Sequence, residues 1–157
     1  MSRPIVGVMG GADASPETLA LAEALGAAIG AAGWILLNGG RDAGVMAASA
    51  RGAARAGGLV VGVLPGRDRR GASPDLTVAL VTGLGDARNA VNVLSSDVVV
   101  ALPGGPGTLS EIALALKAGH PVVAVGWERA SLGDFEGIVR ARSLDEALDA
   151  IRARLIG

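Results

Sequence analysis

Apolar positions along this chain fall into two alternating patterns. Short β-branched runs predict strands at Ile5–Met9, Trp34–Asn38, Leu59–Leu64, Thr77–Val81, Asp97–Leu102 and Pro121–Val125, with a further short one near Gly137–Arg140. Ala- and Leu-rich stretches between them predict helices near Pro16–Ala32, Ala43–Ala56, Ala87–Leu94, Thr108–Ala118 and Leu144–Leu155. The run Val98-Val99-Val100-Ala101-Leu102 is apolar without alternation, as in a strand covered on both faces. Alternating strands and helices with such central strands predict an α/β fold wound on both faces of its sheet. It would hold a mainly parallel sheet of six or seven strands in a single domain over residues 1–157.

The helix over Pro16–Ala32 carries few charges, so its surface is expected to be buried deeply, or in part by a second subunit. A homodimer or larger assembly is therefore expected. Pro65–Asp75 has no periodicity and holds Arg67, Arg69 and Arg70 close together. It reads as a mobile surface connection, or else as a lid that brings arginines to an anionic ligand.

Charge and composition narrow the partners. Fourteen basic residues against fifteen acidic ones leave no basic excess for a nucleic-acid backbone. Two Trp, one Phe and no Tyr offer no stacking platform for single strands, so no nucleic-acid partner is expected. With no cysteine there is no disulfide framework or thiolate metal site, and His120 has no partner at metal-ligand spacing. No metal site is expected. Apolar stretches break well short of the ~20 residues of a bilayer span, and no leader is expected before the first strand. The expectation is a cytoplasmic protein without a membrane partner.

Candidate chemistry lies where strands end in glycine. The first predicted strand runs into Gly10-Gly11-Ala12-Asp13 and the second into Gly39-Gly40-Arg41-Asp42-Ala43-Gly44. The fifth runs into Pro103-Gly104-Gly105-Pro106-Gly107-Thr108. In a parallel sheet these turns share the carboxyl edge, where open α/β folds bind ligands. Each leads into a helix N-terminus, whose free N–H groups and dipole favour an anion such as phosphate. The third glycine of a dinucleotide fingerprint is missing, since Ser110 stands there, and no Gly-Lys-Ser/Thr occurs, which argues against NAD and ATP.

Arg88 and Asn89 open a predicted helix at a position where the dipole disfavours a cation, which suggests a ligand role. The bland alternative is an ion pair of Arg88 with Asp86 or Glu111. Asn92 lies one turn on, on the same face. Thr108-x-x-Glu111 has the spacing of a capping box, as does Ser143-x-x-Glu146, so Glu111 is either a cap or a carboxylate beside a bound phosphate sugar. His120 is expected at the amino edge of the sheet as a structural residue, and Trp34 and Met46 read most simply as core.

Pro103-Gly104-Gly105-Pro106-Gly107-Thr108-Leu109-Ser110-Glu111 resembles the signature of the PGGxGTxxE superfamily. That superfamily includes the LONELY GUY cytokinin-activating phosphoribohydrolases, the molybdenum cofactor carrier proteins, and proteins mislabelled as lysine decarboxylases. The likeness extends to Gly39-Gly40-x-x-x-Gly44-x-Met46 and to Gly62-Val63-Leu64-Pro65, and covers about Ile5 to Trp127. It implies a Rossmann-like, doubly wound subunit of a homodimer or homotetramer, with a nucleoside monophosphate or a phosphorylated pterin such as the molybdenum cofactor held across the glycine turns. It also implies catalytic roles for Arg88 and Glu111 if the chain is a hydrolase. Those hydrolases read Arg-Lys and Glu-Glu where this chain has Arg88-Asn89 and Ser110-Glu111. The expected function is accordingly a binding or carrier protein for a phosphorylated, nucleotide-like ligand. The alternatives are a nucleoside 5′-monophosphate phosphoribohydrolase that cleaves the N-glycosidic bond, and an oligomeric nucleotide sensor. A pyridoxal-phosphate decarboxylase is rejected, because the one lysine, Lys117, falls late in its helix, far from the glycine turn.

Overall fold

A computed structural model describes residues 2–156. Seven strands form one sheet: β1 (Ile5–Met9), β2 (Ile35–Asn38), β3 (Leu59–Leu64), β4 (Val78–Val81), β5 (Val98–Ala101), β6 (Val122–Val125) and β7 (Ile138–Ala141). Their order is β4-β3-β2-β1-β5-β6-β7, and every pairing is parallel. Five helices connect them: α1 (Pro16–Ala31), α2 (Gly44–Arg55), α3 (Arg88–Leu94), α4 (Pro106–Lys117) and α5 (Leu144–Leu155). This is the doubly wound, Rossmann-like α/β architecture that the alternating pattern predicts.

Core residues divide between the two faces of the sheet. On one face Leu25 and Ile29 of α1, Val45 and Ala53 of α2 and Ile151 of α5 pack with Val6, Val8 and Val100. On the other, Val93 of α3 and Ile112 and Ala115 of α4 pack with Met9, Val99 and Ala101. Strand order runs outward in both directions from β1 and β5, so the crevice above their carboxyl ends is the topological switch point.

The sparse charge of α1 has a local cause. A Cβ on Gly26 would stand 2.1 Å from Ser49 O, and one on Gly52 would stand 2.0 Å from Glu23 O. Glycines thus let α1 and α2 approach backbone to backbone, and the composition of α1 is accounted for within one chain. It gives no argument for a second subunit. Trp34 precedes β2 and is half-buried at the margin of the core rather than within it.

Two element starts differ from expectation in ways that matter for the site. A short 3-10 turn over Gly85–Ala87 precedes α3, which places Arg88 at the first α-helical position. Helix α4 begins at Pro106, two residues earlier than the apolar pattern suggests, because proline is well suited to a first helical turn. Among the described residues, no helix is long and apolar enough to cross a membrane.

Candidate functional site

Three glycine turns meet at the carboxyl edge. The turn after β1 is tied to the turn after β5 by Gly11 N, which donates to Pro103 O at 3.2 Å. It is tied to the start of α2 by Val45 N, which donates to Gly11 O at 3.0 Å. Buried Asn38 braces the second turn: its Nδ2 donates to Met46 O at 3.0 Å and to Ser49 Oγ at 3.1 Å, while its Oδ1 accepts from Gly40 N at 2.8 Å. Between the turns lies a cavity of about 290 Å³.

Of the residues singled out from sequence, Gly10, Gly11, Gly39, Met46, Arg88, Asn89, Asn92, Gly105, Gly107, Thr108 and Glu111 line this cavity. Gly40, Gly44, Pro103 and Gly104 do not; they shape the turns behind it. Gly44 has φ +50, and a Cβ there would meet Gly11 O at 2.1 Å. A Cβ on Gly104 would meet Thr108 Oγ1 at 2.2 Å and Gly11 N at 2.8 Å.

Gly105 and Gly107 are different. Neither has positive φ, and a Cβ at either would meet nothing within 4 Å. Backbone and packing therefore leave these two glycines unexplained, and the space they keep open borders the cavity at the N-terminus of α4. With Gly105 as N-cap and no side-chain cap, the first-turn N–H groups of α4 have no side-chain acceptor. Such a terminus favours an anion.

Glu111 is not a capping residue. Because α4 starts at Pro106, Thr108 is already its third helical residue, and no Thr108–Glu111 box forms. At the other site with this spacing, Ser143 Oγ accepts from Glu146 N at 3.2 Å and Glu146 Oε2 accepts from Arg142 N at 2.8 Å. Glu111 is instead buried at the cavity, where its Oε2 accepts from Asn92 Nδ2 at 3.1 Å. Burial pushes its carboxyl above the ordinary glutamate value, opposed by the Asn92 hydrogen bond and by the charge of Arg88. Asn92 is 1% exposed, and its Oδ1 has no donor among the described residues. An acceptor left in that state costs on the order of 1–3 kcal/mol.

The Arg88 guanidinium lies against Gly39, where a Cβ would come within 2.8 Å of Nη2. Its Nε donates to Val63 O at 3.0 Å and its Nη1 donates to Asn89 Oδ1. Among the described residues Arg88 forms no ion pair, so the expected alternative of a pair with Asp86 or Glu111 does not hold. Burial lowers its pKa, Glu111 opposes that, and the nearby charge of Arg41 adds to it. Asn89 Nδ2 also donates to Ser110 Oγ at 3.2 Å.

Arg41 is the cation that sequence reasoning overlooked. It lies within the second glycine turn and lines the cavity with Asp86 and Pro65. The signal was legible: an arginine inside a glycine turn at the carboxyl edge. Arg67, Arg69 and Arg70, in contrast, are exposed and do not line the cavity, and Arg70 pairs with Asp68 at 3.2 Å. Their loop is held down, with Asp42 N donating to Gly71 O and Ser73 N to Gly40 O. His120 precedes β6 at the amino edge, its Nδ1 bonded to Ser96 O at 2.9 Å. Lys117 ends α4 away from the cavity. Among the described residues no three His, Asp or Glu side chains cluster as metal ligands.

A parallel doubly wound sheet with three glycine turns at its switch point defines a Rossmann-like α/β fold. The chain matches the SLOG cluster4 family over residues 3–149 and belongs to that family. It is 37% identical to a cytokinin riboside 5′-monophosphate phosphoribohydrolase of Mycobacterium tuberculosis, over 78% of this chain and 67% of that protein. The molybdenum cofactor binding protein of Rippkaea orientalis superposes with a TM-score of 0.96 at 44% identity, over 100% of this chain and 99% of that one. The molybdenum cofactor carrier protein of Chlamydomonas reinhardtii gives a TM-score of 0.91 at 43% identity, over 99% and 100%.

Proposed function

We propose that this chain binds and carries a phosphorylated, nucleotide-like small molecule of the molybdenum-cofactor type, with its phosphate on the first turn of α4. One observation carries the reading: Gly105 and Gly107 are required by neither backbone nor packing, yet keep open the space before an uncapped helix start. Arg88 and Arg41 add positive charge to the same cavity. Whole-length likeness to two molybdenum cofactor proteins favours that cargo.

The second reading is a nucleoside 5′-monophosphate phosphoribohydrolase, and it is favoured by the 37% identity to such an enzyme and by the meeting of Arg88 and Glu111 at one cavity. Against it, the chain has Asn89 and Ser110, which touch each other, where the hydrolase pattern has Lys and Glu. Burial raises the Glu111 carboxyl, so it holds its proton to higher pH than an ordinary glutamate.

The two readings separate in one experiment. Purified protein is analysed for co-purified molybdenum and pterin, then incubated with nucleoside monophosphates and assayed for free base and ribose 5-phosphate. The carrier reading expects bound cargo and no base release. Base release that is lost in Glu111→Gln would establish the hydrolase instead. We further propose a homodimer or homotetramer, supported by exposed Val78, Leu80 and Val81 on edge strand β4 and by Leu84 and Leu94 nearby in sequence.

A further inference from the structure

We infer that Asn92 selects the ligand: its Oδ1 accepts a hydrogen bond from an N–H or O–H of the phosphorylated molecule. The inference rests on the proposed phosphate site and extends it, since phosphate binding alone asks nothing of Asn92. Its orientation is fixed by chemistry. Ionised Glu111 only accepts hydrogen bonds, so the amide turns Nδ2 toward it, 3.1 Å away, which leaves Oδ1 unpaired. Among the described residues no donor reaches that oxygen, which is itself covered, although Asn92 lines the cavity.

Buried acceptors are otherwise satisfied in folded proteins, and an exception within a cavity calls for a missing donor. Asn92 is well supported where it stands: Ser96 Oγ donates to its backbone O at 2.7 Å, so the helix places it regardless of the side chain. The lining around it includes Met9 and Met46, whose unbranched thioethers shift at low cost as a ligand presses in. Glu111 stands beside Asn92 as a second acceptor. The cavity thus offers cations, in Arg41 and Arg88 beside the α4 start, together with acceptors, in Asn92 and Glu111. A phosphomonoester that also carries N–H or O–H donors matches both. Those donors come from one of two sources, a ribose diol or the amino group of a 2-amino-oxo ring, as in guanine or a pterin.

Titration calorimetry of the full chain with two matched pairs tests this. AMP against 2′,3′-dideoxy-AMP reports on the diol, and GMP against IMP reports on the ring amino group. The expected result is that the donor-bearing member of one pair binds about tenfold tighter or better. In Asn92→Leu this preference should fall to about onefold, with inorganic phosphate competing as it does in wild type. Because Asn92→Leu can disturb folding, a second readout uses wild type alone: the Asn92 side-chain carbonyl ¹³C resonance should shift as the preferred nucleotide saturates. Equal affinities within both pairs, or a preference that survives Asn92→Leu, would overturn the inference and leave the phosphate site standing. If neither the nucleotides nor phosphate bind, the proposed function falls and this inference with it.

Discussion

Glu111 is the residue whose position most changes how the site reads. Its spacing from Thr108 matches a helix cap, but the chain places it in the cavity wall with Asn92 as its donor. The consequence for stability has a definite sign. Burial raises the folded-state pKa above the unfolded value, so between the two values the folded protein holds more protons. Stability is then fully present below the ordinary glutamate value and is lost as pH rises through the raised one. Glu111→Gln removes this penalty, and thermal melts should show the variant more stable than wild type at pH 7, with the gain vanishing toward pH 4. A gain that is the same at both pH values would contradict the buried, ionising carboxyl. Arg41 supplies the complementary lesson. Its sequence position was conspicuous, but only the convergence of three turns shows that it, and not Arg67, Arg69 or Arg70, faces the cavity.

Helix starts decide more than helix interiors in this fold. The strands and helices were legible because apolar runs covered on both faces, such as Val98–Ala101, differ plainly from Ala-rich helical stretches. Element ends were less so. Pro106 opens α4 ahead of its apolar pattern, and a propensity-based reading places the start at Thr108. By the same logic Ser143 is a working cap, and Ser143→Ala should cost about 1 kcal/mol in denaturant unfolding. Close packing of α1 on α2 could not be read from composition, because an apolar, glycine-bearing helix fits a subunit contact equally well. Gly26→Ala tests it. Helix propensity alone would stabilise the variant by about 1 kcal/mol. The 2.1 Å approach of a Cβ to Ser49 O should outweigh that and destabilise by about 1–3 kcal/mol.

At the scale of the molecule, parallel topology turns three separate sequence signals into one site. Gly10-Gly11, Gly39 and Gly105–Thr108 are distant in sequence, and strand order alone brings β2, β1 and β5 side by side. Parallel pairing was inferable from the alternation of elements; the depth of the cavity and the burial of Asn92 were not, since both depend on how α3 packs beside α4. The exposed apolar residues of β4 and Leu94 predict that light scattering will give a multiple of the 15.4 kDa chain mass. A mass of 15.4 kDa would contradict the oligomer. The central claim is that the open space before α4 is kept for a phosphate, and Gly105→Val and Gly107→Val test it most directly. A Cβ at either position meets nothing within 4 Å, so melting temperatures should stay close to wild type. AMP affinity by titration calorimetry should fall at least about tenfold, as the new side chain fills the anion's place. Unchanged affinity in a folded variant would contradict the account.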